Sequence, residues 1–185
     1  MRLFVAVTLG RSVEEAATAA LGHLRTLAPQ ARWVPAANLH LTLSFLGEVE
    51  EERAARVKDV LERVAPRHTP LVLTIRGGGS FGASAHPRVL WAGVEGQTEA
   101  LAALQAEVAR ELRPLGFEPE HRDYVAHLTL ARAKQPRGDA ALTGCVKALQ
   151  EARWGEARVD HLVLFESLGG RYHPRARMSL GAPAD

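Results

Sequence analysis

The tetrapeptide His-Leu-Thr-Leu stands twice in this chain, at residues 40–43 and 127–130, a separation of 87 residues. The first strand candidates keep that separation, Leu3-Phe4 matching Leu90-Trp91. Around each copy the apolar pattern predicts one order: strand, helix, HLTL strand, helix, strand. A motif and a register kept together imply a duplicated half. Two copies are too few for a stacked solenoid. The expectation is a single bilobal α+β domain with halves of about 1–86 and 87–185, two mainly antiparallel sheets, helices outside and a central cleft. Across that cleft the two HLTL strands would face each other.

The individual elements are read from periodicity and punctuation. In the first half, strands are expected over residues 3–9, 39–46 and 71–75. Helices are expected over 12–27, opened by a Ser12/Glu15 capping box, and from the acidic run at 50–52 to Pro66. The glycine-rich run 77–82 reads as a loop. In the second half, strands are expected over 89–94, 126–131, 159–165 and 175–180, with helices over 98–113 and 139–152.

Alternate side chains of a strand point to opposite faces, so Leu41, Leu43, Leu128 and Leu130 turn inward. His40 and Thr42, and likewise His127 and Thr129, then point outward together. A single outward histidine on a strand is ordinarily a solvated surface group. Duplication of the fold explains keeping the leucines, but not keeping an outward His and Thr in both copies. Two imidazoles and two hydroxyls around one cleft suit a phosphodiester. One histidine takes a proton from the nucleophile and the other gives one to the leaving oxygen. The hydroxyls and a nearby arginine hold the phosphoryl oxygens. No metal and no cofactor are needed by such a scheme.

Composition narrows the partners. The 23 basic residues nearly balance the 21 acidic ones, leaving +2. That balance argues against a protein that coats duplex nucleic acid by neutralising phosphates. A lone cysteine, Cys145, excludes an internal disulfide or a Cys-rich zinc site, and its place in an apolar helix reads as a buried thiol. No apolar run approaches the ~20 residues of a membrane span, and the N-terminal run is too short for a secretory signal. A soluble, cytoplasmic monomer is expected. The other histidines show no HExxH-type spacing, so no metal site is expected.

The stretches RWVPAANLHLTLSFLG (32–47), PRVLWAGV (87–94), HLTLAR (127–132) and VLFESL (163–168) resemble the two-histidine (2H) phosphoesterases. They are most similar to the RNA 2',3'-cyclic phosphodiesterases, also called 2'-5' RNA ligases. The resemblance spans nearly the whole chain. It implies metal-independent hydrolysis of the 2',3'-cyclic phosphate of an RNA end or a nucleotide to a 2'-phosphate. It further implies His40 as acid, His127 as base, and Phe45 and Arg132 flanking the bound nucleotide. Each of these two lies five residues after its histidine, an odd offset that strand parity sends to the opposite face. A core position for Phe45 stays open on the same ground. Ala126 stands where a proline commonly precedes the second motif.

Two other patterns are weaker. GGGSFG at 77–82 matches both a dinucleotide loop and a nucleophile elbow. Both need a helix directly afterwards, and Pro87 and a strand follow instead. His121, Arg122, Tyr124, Arg132 and Lys134 make a basic neighbourhood at the second motif. Tyr172 and His173 are within reach of the cleft without a derivable role. The competing function is an RNA-end binding module that turns nothing over. Ligation would be the reverse reaction at the same site, without ATP, since no GxxxxGK[ST] loop is present.

Overall fold

The fold, taken from a computed structural model, is described for residues 1–182. Its α+β elements run β1 (Arg2–Val7), α1 (Gly10–Leu27), β2 (Arg32–Trp33), β3 (Leu41–Glu48), α2 (Glu51–Val64), β4 (Leu71–Ala83) and β5 (His86–Gly96). They continue with α3 (Thr98–Leu112), β6 (His127–Arg132), α4 (Leu142–Leu149), β7 (Arg153–Val159), β8 (His161–Leu168) and β9 (Arg171–Ser179). Two antiparallel sheets result, ordered β3-β1-β8-β9 and β2-β6-β5-β4-β7.

The helices form where apolar residues recur every three or four positions, and each buries that stripe. Val13, Ala17, Leu21 and Leu24 of α1 are buried, as are Leu101, Leu104, Val108 and Leu112 of α3. Helix α1 packs on β7 and α4 on β4 and β5, covering the five-stranded sheet. Helices α2 and α3 cover the other sheet, through β9 and β3. The four motif leucines are all buried, at 4% exposure or less.

Neither sheet belongs to one half of the sequence. β1 of the first half pairs with β8 of the second, and β4 of the first half pairs with β5 of the second. The expected boundary near residue 86 falls inside the β4–β5 hairpin. The separation of 87 also does not extend to strand pairing. Thr42 faces Ala6, which an 87-residue offset matches to Gly93, yet Thr129 faces Trp91 and Gly93 faces His127. The slip is of two residues, so every side chain keeps its face.

Several local expectations differ from the structure. The glycine run is no loop: it continues β4 and pairs with β5 through Phe81. Gly78 and Gly79 are there because Trp91 lies across the strand. A Cβ at Gly79 would come within 2.6 Å of the Trp91 ring, and one at Gly78 within 2.6 Å of the Trp91 carbonyl oxygen. Helix α1 starts two residues before Ser12, with Leu9 at its N-cap and no side-chain cap. Gly10, at φ +79°, turns the chain directly out of β1 and makes the capping box unnecessary. Residues 32–33 form the short β2 against β6. The strand expected at 159–165 is two strands, β7 and β8, and α4 is shorter than expected at both ends.

Candidate active site

His40 is set down just before β3, after a 3-10 turn at Ala36–Asn38. Its Nδ1 lies 2.7 Å from the Asn38 carbonyl oxygen, and its Nε2 lies 2.8 Å from Thr42 Oγ1. A carbonyl can only accept, so Nδ1 carries the hydrogen, and the Thr42 hydroxyl donates to Nε2 of the neutral ring. The ring sits 4.9 Å from Phe4, edge-on to Tyr172 at 5.2 Å, and 6.3 Å from Phe165. Phe4, Ala6, Val163 and Phe165 form a small apolar cluster of their own, with Tyr172 packed on it. Burial among these groups lowers the His40 pKa, and the Asn38 hydrogen bond opposes that only in part.

His127 opens β6 and repeats half of this geometry. Its Nδ1 lies 2.9 Å from the carbonyl oxygen of Val125, again two residues upstream. Its Nε2 has no hydrogen-bond partner among the described residues. The edge of Phe81 meets the ring at 5.0 Å, and Phe81 lies 5.5 Å from Trp91. Beside them opens a cavity of about 370 Å³ lined by Gly77, Gly78, Phe81, Trp91, Gly93 and His127. An ion pair, Arg76 to Glu95 at 3.6 Å, stands at its wall.

The two copies are tied together. Tyr124, three residues before His127, donates its hydroxyl to the Thr42 carbonyl oxygen at 3.2 Å. Burial pushes the Tyr124 pKa up to about 12, so the hydroxyl remains a donor throughout the ordinary pH range. The backbone N–H of Val34 donates to the Leu130 carbonyl at 2.8 Å, and six residues later the same segment lays down His40. Asn38, whose carbonyl holds His40, donates its side-chain amide to the Gly170 carbonyl at 3.2 Å.

Strand parity separates Phe45 and Arg132 from the histidines only in a regular strand. Here both strands carry a β-bulge three residues after the histidine. Leu43 has no partner between Thr42 and Ser44, and Leu130 none between Thr129 and Ala131. The extra residue reverses the alternation. Ser44 pairs with Val5 and Phe45 with Phe4, so Phe45 comes to the His40 side, its ring 6.1 Å from that of Phe4. It is 66% exposed, which removes the core position left open for it. Leu130 and Ala131 are both buried, and Arg132 turns outward like Thr129. Thr42 and Thr129 are half-buried on the same faces as their histidines.

The motif alone does not reveal the aromatic partners. Phe165 and Tyr172 arrive from strands more than a hundred residues away from His40, Phe81 from the part of β4 where a loop was expected, and Trp91 from β5 beside it. Cys145 is buried as expected, its thiol donating to the Leu24 carbonyl at 3.5 Å and its pKa pushed up to about 11 by burial.

Residues 11–171 match the model of the 2'-5' RNA ligase superfamily. The chain belongs to that superfamily. Its relatives include the RNA 2',3'-cyclic phosphodiesterase of Methanothermobacter thermautotrophicus, 35% identical over 167 residues and 90% of each chain. The enzyme of the same name from Archaeoglobus fulgidus is 36% identical over 168 residues, 91% of this chain and 92% of its own. Among solved structures, E. coli LigT complexed with 3'-AMP aligns over 97% of both chains at a TM-score of 0.73 and 27% identity. The superfamily match takes in both histidines and ends one residue before Tyr172.

Proposed function

We propose that this protein is an RNA 2',3'-cyclic phosphodiesterase. It opens the cyclic phosphate of an RNA end or a nucleotide to a 2'-phosphate, without a metal ion. The observation that carries the reading is the matched anchoring of His40 and His127. Each gives its Nδ1 hydrogen to a carbonyl two residues upstream, which makes Nε2 of each ring the nitrogen for proton transfer; at His40 the Thr42 hydroxyl holds Nε2 and must first turn to the phosphate. The names of the relatives agree with this activity.

In the reaction the oxygen of a water molecule bonds to phosphorus, and the bond from phosphorus to the ribose 3'-oxygen breaks. One Nε2 takes the proton of the water; the other delivers its proton to the 3'-oxygen. Each such positioned group is worth ~10²–10⁴ in rate. Thr129, and Thr42 once its hydroxyl turns from His40 Nε2, donate to the non-bridging oxygens, Phe45 offers a face for the base, and Arg132 binds the nucleotide further along β6.

Burial bears on which histidine does which. Desolvation lowers the His40 pKa and so favours the neutral imidazole, the form a general base requires. On that argument His40 activates the water and His127 protonates the leaving oxygen. The order implied by family resemblance is the reverse, and a change of leaving group distinguishes the two.

The first test is turnover of 2',3'-cyclic AMP in EDTA, with 2'-AMP and 3'-AMP resolved. The expected result is 2'-AMP, absent with His40→Ala and with His127→Ala. Loss of activity in EDTA with rescue by Mn²⁺ or Zn²⁺ would overturn the metal-free chemistry. No turnover of this substrate or of cyclic-ended RNA, with RNA ends still bound, would make the protein a binding module.

A further inference from the structure

The edge of the five-stranded sheet carries more positive charge than the reaction uses. Arg32 of β2 and Arg132 of β6 are direct cross-strand partners. Such partners project from the same face, and like charges placed opposite each other are destabilising. Both are exposed, and neither makes an ion pair among the described residues. Some arginines elsewhere find carboxylates, as Arg67 does with Glu107, Arg76 with Glu95 and Arg175 with Glu51 and Glu166, whereas these two face each other.

The charge continues past the end of the ladder. Gln30 lies two residues before Arg32 and Lys134 two residues after Arg132, so antiparallel pairing brings them together at the same end. Both line one groove of about 600 Å³, with His86, Gln135 and Arg137. Lys134 and Arg137 also make no ion pair among the described residues. The carboxylate in the lining, Asp139, accepts the Ala141 backbone N–H on Oδ1 at 2.9 Å.

From His127 to Arg132 the track runs about 16 Å along β6, at ~3.3 Å per residue. It starts at the site of chemistry and leads away over one sheet edge. Its charge is local, since the whole chain carries only +2. That suits a flexible single strand better than a duplex, whose two backbones need broad neutralisation.

We infer that the Arg32/Arg132 pair and the Lys134–Arg137 groove bind the phosphates of single-stranded RNA upstream of the cyclic end. This rests on the proposed function and extends it: the protein favours a processed RNA strand over a free cyclic nucleotide.

The test separates the two readings. Binding of an oligoribonucleotide of about eight nucleotides with a 2'-phosphate end is followed by fluorescence anisotropy at several salt concentrations. Turnover of 2',3'-cyclic AMP is measured alongside. The double variant Lys134→Glu/Arg137→Glu is expected to weaken RNA binding at least tenfold. The slope of log affinity against log salt should become shallower by ~0.7 for each RNA phosphate that the variant no longer neutralises. Its kcat/KM for 2',3'-cyclic AMP should match that of the unaltered protein. Unchanged RNA affinity and salt slope would overturn the track, whatever the cyclic nucleotide does. Absence of cyclic nucleotide turnover in the unaltered protein, with salt-dependent RNA binding intact and abolished in the variant, would strike the enzymatic reading and leave the track standing.

Discussion

The two HLTL copies place the same side chains in two unlike surroundings. His40 sits in an aromatic corner, against Phe4, Phe165 and Tyr172, with its Nε2 already occupied by Thr42. His127 borders a glycine-lined cavity, with one aromatic edge against it and no partner on Nε2 among the described residues. Where one imidazole must be neutral and the other protonated, unlike surroundings favour that division. The motif supplies the groups; the neighbours from distant strands make them different.

The largest effect should come from splitting the two roles. Both His40→Ala and His127→Ala should lose ~10²–10⁴ in kcat on a cyclic phosphate. A nitrophenyl phosphodiester has a leaving group that needs no proton. On it His127→Ala should recover most of the activity while His40→Ala does not. The opposite pattern would restore the order in which His40 is the acid.

Next is the wall of the His127 cavity. Gly79→Ala sets a methyl group 2.6 Å from the Trp91 ring, so the indole must move. Overpacking of this kind costs ~1–3 kcal/mol. A lowered Tm and a raised KM are expected, and values equal to those of the unaltered protein would show that Trp91 does not shape the site.

The smallest effect is a shift of pH limb. Tyr172→Ala admits water to His40 and relieves the desolvation that lowers its pKa, so the pKa rises. With His40 as base, activity on the acid side needs its neutral form, and the acid limb of kcat/KM moves to higher pH. Movement of the alkaline limb instead would mark His40 as the acid, and no movement would deny Tyr172 its influence.

What is legible in the sequence is periodic and local. The inward leucines, the outward His-Thr pairs and the stripes of α1 and α3 follow from side-chain geometry over a few residues. The bulges at Leu43 and Leu130 are hidden because the patterns LTLSF and LTLAR do not differ from those of regular strands. Yet these bulges decide where Phe45 and Arg132 point. The run 77–82 imitates a loop because Gly78 and Gly79 make room for Trp91 on the neighbouring strand, while Gly77 and Gly82 take positive φ angles inside the hairpin. The pairing of β1 with β8 and of β4 with β5 likewise depends on contacts between halves, which no window of sequence contains.

That exchange of strands sets the order in which a working site can come into being. During synthesis His40 and Thr42 leave the ribosome well before β8, and β1 must wait for that strand, with Arg2 finding Ser167, before its sheet is complete. Phe165 and Tyr172, which wall off the His40 ring, are made more than a hundred residues after it. Contacts of such long range form slowly and leave sheet edges exposed in the interval. A chain cut short before His161 would carry both HLTL motifs and still lack the surroundings that set one histidine apart from the other.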